Sequence, residues 1–279
     1  MRVFLTGATG YIGNAVALAL RQRGHEVAAL VRPESDSTQL REAGVFIVAG
    51  DLDGLPQLAK TLSAYDALVH TAFASQEPVA KDRIAVDTLS AQKNFFVFTS
   101  GVWVLGNSKG KTLDEKTPVN PLGLVAWRPA HEKIALDSGG AVIRPGCVYG
   151  GSQSMFADWF AAADQKQAIT IAGDGKNRWA LVDRGDLADC YVRIIEQRKP
   201  GVFHAVDDSH SSLDECAKAI APSGKIEHVT ASGFMAEALT VDQIVSSEAT
   251  RRALGWLPRR TFVNSINEQW REWRAATRV

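Results

Sequence analysis

The stretch VFLTGATGYIGNAVALAL, residues 3–20, constrains the fold of this chain more than any other feature. A short apolar run leads into Gly7, Gly10 and Gly13, and apolar residues at helical spacing follow. Gly7 permits a tight turn out of a strand, Gly10 lets backbone N–H groups approach a pyrophosphate, and Gly13 lets the helix pack against the sheet. The positive end of that helix then faces the phosphates. The segment therefore predicts a strand, a phosphate-binding turn and a helix.

Short apolar runs alternate with amphipathic segments through the first 150 residues. The runs predicted as buried strands are RVFLT, EVAALV, VFIVAG, DALVHTA, FFVFTS and AVIRP. The helices predicted between them cover residues 11–23, 38–43, 55–63, 82–93 and 126–138. This alternation predicts repeated βαβ units, and hence an α/β fold with a doubly wound parallel sheet of the Rossmann type.

Beyond residue 150 the alternation is less regular. The predicted elements there are helices at 152–167, 184–197, 211–221, 246–254 and 261–276, with strands AITIA and GVFHAV. We predict a dinucleotide-binding Rossmann domain at 1–150, which 184–206 rejoins. A smaller mixed α/β C-terminal lobe, formed by 151–183 and 207–279, is expected to bind the substrate.

Composition excludes several classes of protein. The 31 Lys and Arg residues balance 31 Asp and Glu, which argues against a broad basic surface for nucleic acid or anionic membrane. The three cysteines show no disulfide or zinc-ligand spacing, so no metal site is expected and a reducing compartment suits them. No targeting signal or membrane-spanning run is recognised. The sequence thus predicts a cytoplasmic protein with a small-molecule substrate.

Several motifs in the same order resemble one protein family. They are TGATGYIG, GDLDG, VHTAF, VFTSGVWVLG, IRPGCVYG and LGWLPRRTFVNSINEQW. The TGxxGxxG spacing is similar to that of the short-chain dehydrogenase/reductase superfamily, specifically its extended, NAD-dependent epimerase/dehydratase-like branch. The resemblance implies cofactor contacts from Gly7, Thr9, Gly10, Tyr11, Ile12, Gly13, Arg32, Asp51, Leu52, Thr71, Ala72, Pro145 and Val148. It also implies a homodimer, paired through sheet-covering helices such as 126–138.

The residue after the second strand indicates which dinucleotide is preferred. An acid at that position accepts hydrogen bonds from the adenosine ribose and repels a 2′-phosphate, but this chain has Arg32 there, and its first acid is Glu34. A charge-assisted bond from Arg32 to a 2′-phosphate contributes about 1.5–3 kcal/mol. We therefore favour NADP over NAD; the alternative is that Arg32 stacks on adenine or is solvated. Asp51 is expected at the adenine amino group, and a turn-capping role is compatible with this.

The family's catalytic pair is missing. Reduction in this superfamily usually depends on Tyr-x-x-x-Lys on a helix, with a Ser after the fifth strand that holds the substrate oxygen. Ser100 fits the Ser position, but no YxxxK occurs, and Trp127 and His131 occupy the corresponding i and i+4 places. Because an indole N–H donates a hydrogen bond without acting as an acid near neutral pH, ordinary Tyr-dependent ketoreduction is not expected.

Two residues remain as candidate proton donors. His131 is a histidine, the residue type that most often serves as a general acid or base, whereas Tyr149 in the RPGCVYG turn offers a hydroxyl from another segment. Each also has a structural alternative: His131 as a partly buried helix residue, and Tyr149 as a wall of the nicotinamide pocket. The candidate substrate contacts are Trp103, Trp127, Met155, Arg178 and Trp179.

The leading functional hypothesis is an NADP-dependent oxidoreductase or epimerase/dehydratase-like enzyme that acts on a small organic molecule with a non-standard proton donor. The alternative is a catalytically idle dinucleotide-binding redox sensor or regulator. Isomerisation with a tightly held cofactor is a third hypothesis.

Overall fold

The computed structural model describes residues 1–277. Its strands are β1 Arg2–Thr6, β2 Glu26–Val31, β3 Phe46–Ala49, β4 Ala67–His70, β5 Phe95–Thr99, β6 Thr112–Leu113, β7 Ala141–Pro145, β8 Cys147–Tyr149, β9 Ile169–Ala172, β10 Leu181–Asp183, β11 Gly201–Ala205, β12 Ile226–Val229 and β13 Ile244–Val245. Its α-helices are α1 Tyr11–Gln22, α2 Thr38–Glu42, α3 Ala59–Leu62, α4 Pro78–Ser90, α5 Arg128–Asp137, α6 Ala157–Asp164, α7 Arg184–Gln197, α8 Leu213–Ile220, α9 Ala236–Thr240, α10 Glu248–Leu254 and α11 Ile266–Thr277. Single turns of 3-10 helix occupy Leu55–Leu58, Val102–Leu105 and Gly123–Val125.

The central sheet confirms the predicted doubly wound fold. Its seven strands lie in the order β11-β7-β5-β4-β1-β2-β3. The pairs from β7 through β3 are parallel, and Thr6 at the end of β1 faces both Leu30 of β2 and His70 of β4. Parallel strands present their carboxyl ends at one edge of a sheet, where ligands bind in doubly wound folds. Thr6 and His70 therefore lie side by side at that edge.

The sheet is apolar because helices cover its strands. Phe4, Phe96 and Phe98 are buried in one cluster with residues of α4 and α5. The inward face of α4 follows helical spacing, with Asp82, Ala85, Val86 and Leu89 all buried. Burial of each large side chain stabilises the fold by about 1.5–3 kcal/mol. One member of that inward face is a carboxylate.

The chain forms two compact units. The first contains Met1–Ser100, Trp127–Arg144 and Leu187–Phe203, and the remaining segments form the second. Unlike in the predicted division, residues 101–126 belong to the second unit, because their apolar side chains pack into its core. Those buried side chains are Val102, Val104, Leu105, Leu113, Leu122 and Val125. Residues 278 and 279 of the predicted C-terminal lobe lie outside the described residues.

The second unit has its own apolar core and three short parallel strand pairs. These pairs are β10 with β8, β12 with β9, and β13 with β6. The helix α8 begins with a capping box, in which the Ser212 side chain and the Glu215 side chain each accept a bond from the other residue's backbone N–H. Within residues 1–277, no helix combines the length and the apolar composition that a membrane span requires.

Several element boundaries differ from the sequence prediction. Helix α4 begins at Pro78 rather than residue 82, because proline suits the first helical turn. Helix α6 spans Ala157–Asp164 rather than 152–167; it ends before Lys166, whose φ of +57° is incompatible with helix. The short helix α9 and strand β12 were not predicted from the sequence.

Candidate cofactor-binding and catalytic site

The three glycines of the first turn have different surroundings. Gly7 has φ +79°, and a Cβ added there would lie 2.4 Å from the backbone N of Ala72. A Cβ on Gly13 would lie 2.1 Å from the carbonyl oxygen of Gly7. A Cβ on Gly10 would have one neighbour within 4 Å among residues 1–277, that same oxygen at 3.3 Å. Packing thus requires glycine at 7 and 13, whereas Gly10 leaves space above the turn.

Helix α1 begins directly at this space. Gly10 is its N-cap, and within residues 1–277 no side chain caps the helix and no acid lies in its first turn. Thr9 precedes the cap, and Tyr11 and Ile12 begin the helix. An uncapped helix N-terminus with bare backbone above it suits an anion. These residues therefore fit the pyrophosphate of a dinucleotide.

A pocket lies beyond the ends of β2 and β3 in the same unit. It has a volume of about 290 Å³ and is lined by Arg32, Pro33, Glu34, Ala49, Gly50, Asp51, Gly54 and Leu58. The Asp51 Oδ1 accepts a hydrogen bond from the Gly54 N–H at 2.9 Å. Asp51 therefore has the turn-capping role that the sequence also allowed. Its other oxygen has no hydrogen bond of its own among residues 1–277. Leu52 packs against the first unit's core.

Thr71 and Ala72, the residues after β4, pack against the glycine turn. Thr71 donates both its backbone N–H and its hydroxyl to the carbonyl oxygen of Thr6, at 3.1 and 2.8 Å. The Thr71 hydroxyl oxygen lies 2.4 Å from the position that a Cβ on Gly13 would take. The backbone N of Ala72 lies at the same distance from the position that a Cβ on Gly7 would take. The structure thus brings Thr71 and Ala72 together with the glycine turn.

Ser100 follows β5 and has an unused hydroxyl. The residue is buried, its backbone N–H donates to the carbonyl of Ile143 at 2.8 Å, and its Oγ has no hydrogen-bond partner within residues 1–277. The preceding Thr99 is fixed by Arg128, which donates to its carbonyl at 2.8 Å, and by Tyr191, whose hydroxyl lies 2.6 Å from its Oγ1. A buried hydroxyl without a partner is costly unless a ligand satisfies it.

Trp127, the N-cap of α5, and His131, within α5, lie on the same face of this helix. Their ring centroids lie 5.0 Å apart, edge to face, and the Arg128 guanidinium lies 4.6 Å from the Trp127 ring. His131 is buried, and its Nδ1 lies 2.6 Å from Oδ2 of Asp82. Because Arg128 also holds Thr99, the start of this helix is tied to the strand end that carries Ser100.

Asp82 was not predicted as a site residue. Its second oxygen, Oδ1, lies 3.2 Å from Nε2 of His70, and Nδ1 of His70 lies 2.7 Å from the Thr6 hydroxyl. Burial alone would raise the pKa of Asp82, but the hydrogen bonds from His131 and His70 outweigh it and lower the pKa to about 2. Asp82 is therefore ionised at neutral pH. Its sequence signal was a carboxylate on the otherwise apolar face of α4.

Tyr149 lies in the second unit, where its hydroxyl is already engaged. It is fully buried, packs against Phe262 with ring centroids 5.2 Å apart, and donates to Oδ2 of Asp207 at 3.1 Å. Burial, together with the carboxylates of Asp207 and Asp183, raises the pKa of Tyr149 above its ordinary value. This environment disfavours release of its proton. Pro145 and Val148 are buried beside it in sequence.

The candidate substrate residues of the second unit have varied environments. Arg178 makes a two-pronged ion pair with Asp242, at 2.8 and 2.7 Å. Trp179 is buried, and Trp103 is packed against the same apolar core; within residues 1–277 the indole N–H groups of both have no acceptor. Met155 is 39% exposed. The structure therefore commits Arg178 to an internal partner and leaves two indole donors unused.

The Asp207 carboxyl should make stability depend on pH. Burial raises its pKa from 3.8 to about 6, despite bonds from Ser209 and Tyr149. The folded chain therefore binds the proton more tightly, so this group's stabilisation is full below about pH 4 and is lost as the pH rises through 6. The loss is roughly 3 kcal/mol, since each pKa unit corresponds to about 1.4 kcal/mol. Urea unfolding of unmutated chain and Asp207→Asn should diverge by this amount between pH 4 and 7, in the variant's favour. A pH-independent difference would contradict it.

Comparison with known proteins agrees with this geometry. The sequence pattern of the NAD dependent epimerase/dehydratase family matches residues 3–205. The chain belongs to this family. An uncharacterized protein of Schizosaccharomyces pombe is 30% identical to this chain, and the alignment covers 92% of this chain and 95% of that protein. A 3-diazoavenalumate denitrifying reductase of a Streptomyces species is 27% identical, over 92% and 96% of the two chains.

The fold of this family member is also found in a solved structure. The dTDP-glucose 4,6-dehydratase of Bacillus anthracis, in complex with NAD, superposes with a TM-score of 0.87 over 100% of this chain and 98% of that chain. The two sequences are 17% identical, so the comparison shows a shared fold.

Proposed function

We propose that the chain binds NADP(H) through its first unit and is an oxidoreductase acting on a small organic molecule. The observation that carries the proposal is the space above Gly10, at an uncapped helix N-terminus between Gly7 and Gly13. Such an arrangement holds a pyrophosphate by backbone N–H groups and the helix dipole. When bound, the nicotinamide supplies or accepts a hydride, while proton transfer is left to the protein.

The preference for NADP is supported by Arg32. The residue lines the pocket beside Asp51 and forms a 3.3 Å ion pair with Glu34, in which the two side chains are 65% and 66% exposed. An exposed pair of this kind contributes only about 0–1 kcal/mol. A charge-assisted bond from Arg32 to a 2′-phosphate contributes about 1.5–3 kcal/mol. The exchange favours the phosphate by about 0.5–3 kcal/mol. This range includes the roughly tenfold preference for NADPH over NADH that we expect, which corresponds to about 1.4 kcal/mol.

Replacing Arg32 with alanine tests this preference. Calorimetric titration of the unmutated chain should give NADPH binding about tenfold tighter than NADH binding, and Arg32→Ala should remove the difference by weakening NADPH alone. Arg83→Ala is the matched control, because Arg83 also forms an exposed ion pair, with Asp87 on α4, outside the pocket. Equal affinities for the two nucleotides in the unmutated chain would end the NADP proposal.

The class of reaction follows from the polar groups of the first unit. The Ser100 hydroxyl has no hydrogen-bond partner in the described part of the chain, and we assign it the role of holding a substrate oxygen. We assign proton transfer to His131, because the buried Tyr149 hydroxyl already donates a hydrogen bond to Asp207. The Streptomyces relative is named a reductase, which favours reduction of an organic substrate over sugar-nucleotide chemistry. Trp127, edge to face with His131, is assigned to the substrate side.

A further inference from the structure

Four buried polar side chains of the first unit form one hydrogen-bonded network around the carboxylate of Asp82. Thr6 ends β1 directly before Gly7, and His70 ends β4 directly before Thr71. Asp82 reaches them from α4, and His131 reaches Asp82 from α5. The network therefore joins the nucleotide-binding edge of the sheet to the helix that occupies the family's proton-transfer position.

The direction of every hydrogen bond in this network can be assigned. An ionised carboxylate is an acceptor only, so His70 donates from Nε2 and His131 donates from Nδ1 to Asp82. With its Nε2 proton committed, neutral His70 has a lone pair on Nδ1, and the Thr6 hydroxyl donates to it at 2.7 Å. These assignments leave the lone pair of neutral His131 on Nε2, and within residues 1–277 the hydrogen bond of this ring is the one from Nδ1 to Asp82.

We propose that Asp82 is a positioning residue that fixes His131 in the tautomer with its proton on Nδ1, so that Nε2 exchanges the proton with the substrate. This inference rests on the proposed function. The step is balanced: imidazolium gives its Nε2 proton to a substrate oxygen and becomes the neutral Nδ1–H form, and Asp82 stays ionised throughout. In the reverse direction Nε2 takes the proton from a substrate hydroxyl. A His–carboxylate pair thus takes over proton transfer in a chain that has no Tyr-x-x-x-Lys.

The groups around Asp82 explain why it is needed. His70 and His131 contact it, and Arg128 contributes positive charge from α5. The His70 ring is hydrogen-bonded to both Thr6 and Asp82, so it holds the Asp82 oxygen that His131 does not contact. Without the carboxylate, His131 would lose the acceptor of its Nδ1–H bond, and neither its ring orientation nor its tautomer would be fixed.

The tautomer can be read directly in the unmutated chain without substrate or cofactor. Long-range proton–nitrogen NMR correlations of the neutral His131 ring should show a protonated Nδ1 and an unprotonated Nε2. A proton on Nε2 instead would overturn the inference. Because this readout does not involve turnover, it is independent of whether the oxidoreductase proposal holds.

The effect on catalysis is tested with Asp82→Asn. We expect kcat to fall about 10²–10⁴-fold with NADPH affinity retained, and the His131 preference for Nδ1–H to be lost. Asp87→Asn is the matched control: it changes an exposed acid on the same helix, paired with Arg83, and should leave both readouts unchanged. An Asp82→Asn variant that keeps the unmutated kcat and the Nδ1–H tautomer would overturn the positioning role.

Discussion

Replacing Gly10 with alanine is expected to lower NADPH affinity about tenfold or more while the fold stays intact. Gly10 has φ −84° and ψ 171°, an extended conformation that alanine adopts without strain. Among residues 1–277, the new methyl group meets one atom within 4 Å, the Gly7 carbonyl oxygen at 3.3 Å, and a shift of a few tenths of an ångström relieves this contact. It occupies the space where backbone N–H groups must approach the pyrophosphate, and overpacking of this kind costs about 1–3 kcal/mol. That cost falls on the bound state, so it appears as lost affinity.

Gly13→Ala is the matched control for this prediction. Its methyl group would lie 2.1 Å from the Gly7 oxygen and 2.4 Å from the Thr71 hydroxyl oxygen, so the turn itself must shift. Calorimetric titration and urea unfolding should show Gly10→Ala losing affinity alone, and Gly13→Ala losing affinity together with about 1–3 kcal/mol of unfolding free energy. NADPH binding by Gly10→Ala at the unmutated affinity would refute the assignment of the turn.

Replacing His131 with glutamine is expected to lower kcat about 10²–10⁴-fold. The glutamine amide can still donate to Asp82, so that the buried carboxylate keeps a partner, but it cannot exchange a proton near neutral pH. Cofactor affinity should be retained, because His131 contacts Asp82 and Trp127 rather than the glycine turn. Steady-state kinetics with saturating NADPH measures the effect, and a thermal melt checks the fold.

Tyr149→Phe separates the two proton-donor candidates. The change removes only the hydroxyl that donates to Asp207, in a fully buried place in the second unit. Turnover near that of the unmutated chain is expected, with a loss of unfolding free energy, since Asp207 is left without this donor. The reverse pattern, in which Tyr149→Phe is inactive and His131→Gln is active, would transfer the proton role to Tyr149.

The glycine turn and the sheet could be predicted because their signals are local. The spacing of Gly7, Gly10 and Gly13 reports backbone requirements within a few residues, and the structure shows two of these three positions without room for a Cβ. The apolar runs likewise predicted the strands of the central sheet. Errors at helix ends, such as the start of α4 at Pro78, arise because one capping residue decides them.

The carboxylate network could not be predicted, because its members are far apart in the sequence. Thr6, His70, Asp82 and His131 are brought together only by strand order and helix packing. A signal did exist: Asp82 occupies the same face of α4 as Ala85, Val86 and Leu89, and a lone carboxylate on an apolar face needs a buried partner. Similarly, the sequence could not show that Arg178 is engaged by Asp242, 64 residues away.

Oxidoreductase activity with NADP(H) can be measured by following NADPH absorbance with a panel of small carbonyl compounds and sugar nucleotides. We expect oxidation of NADPH by at least one carbonyl compound, with turnover strongly reduced in His131→Gln and Asp82→Asn. Tight NADPH binding without turnover of any member, in either direction, would contradict it and favour the idle dinucleotide-binding regulator.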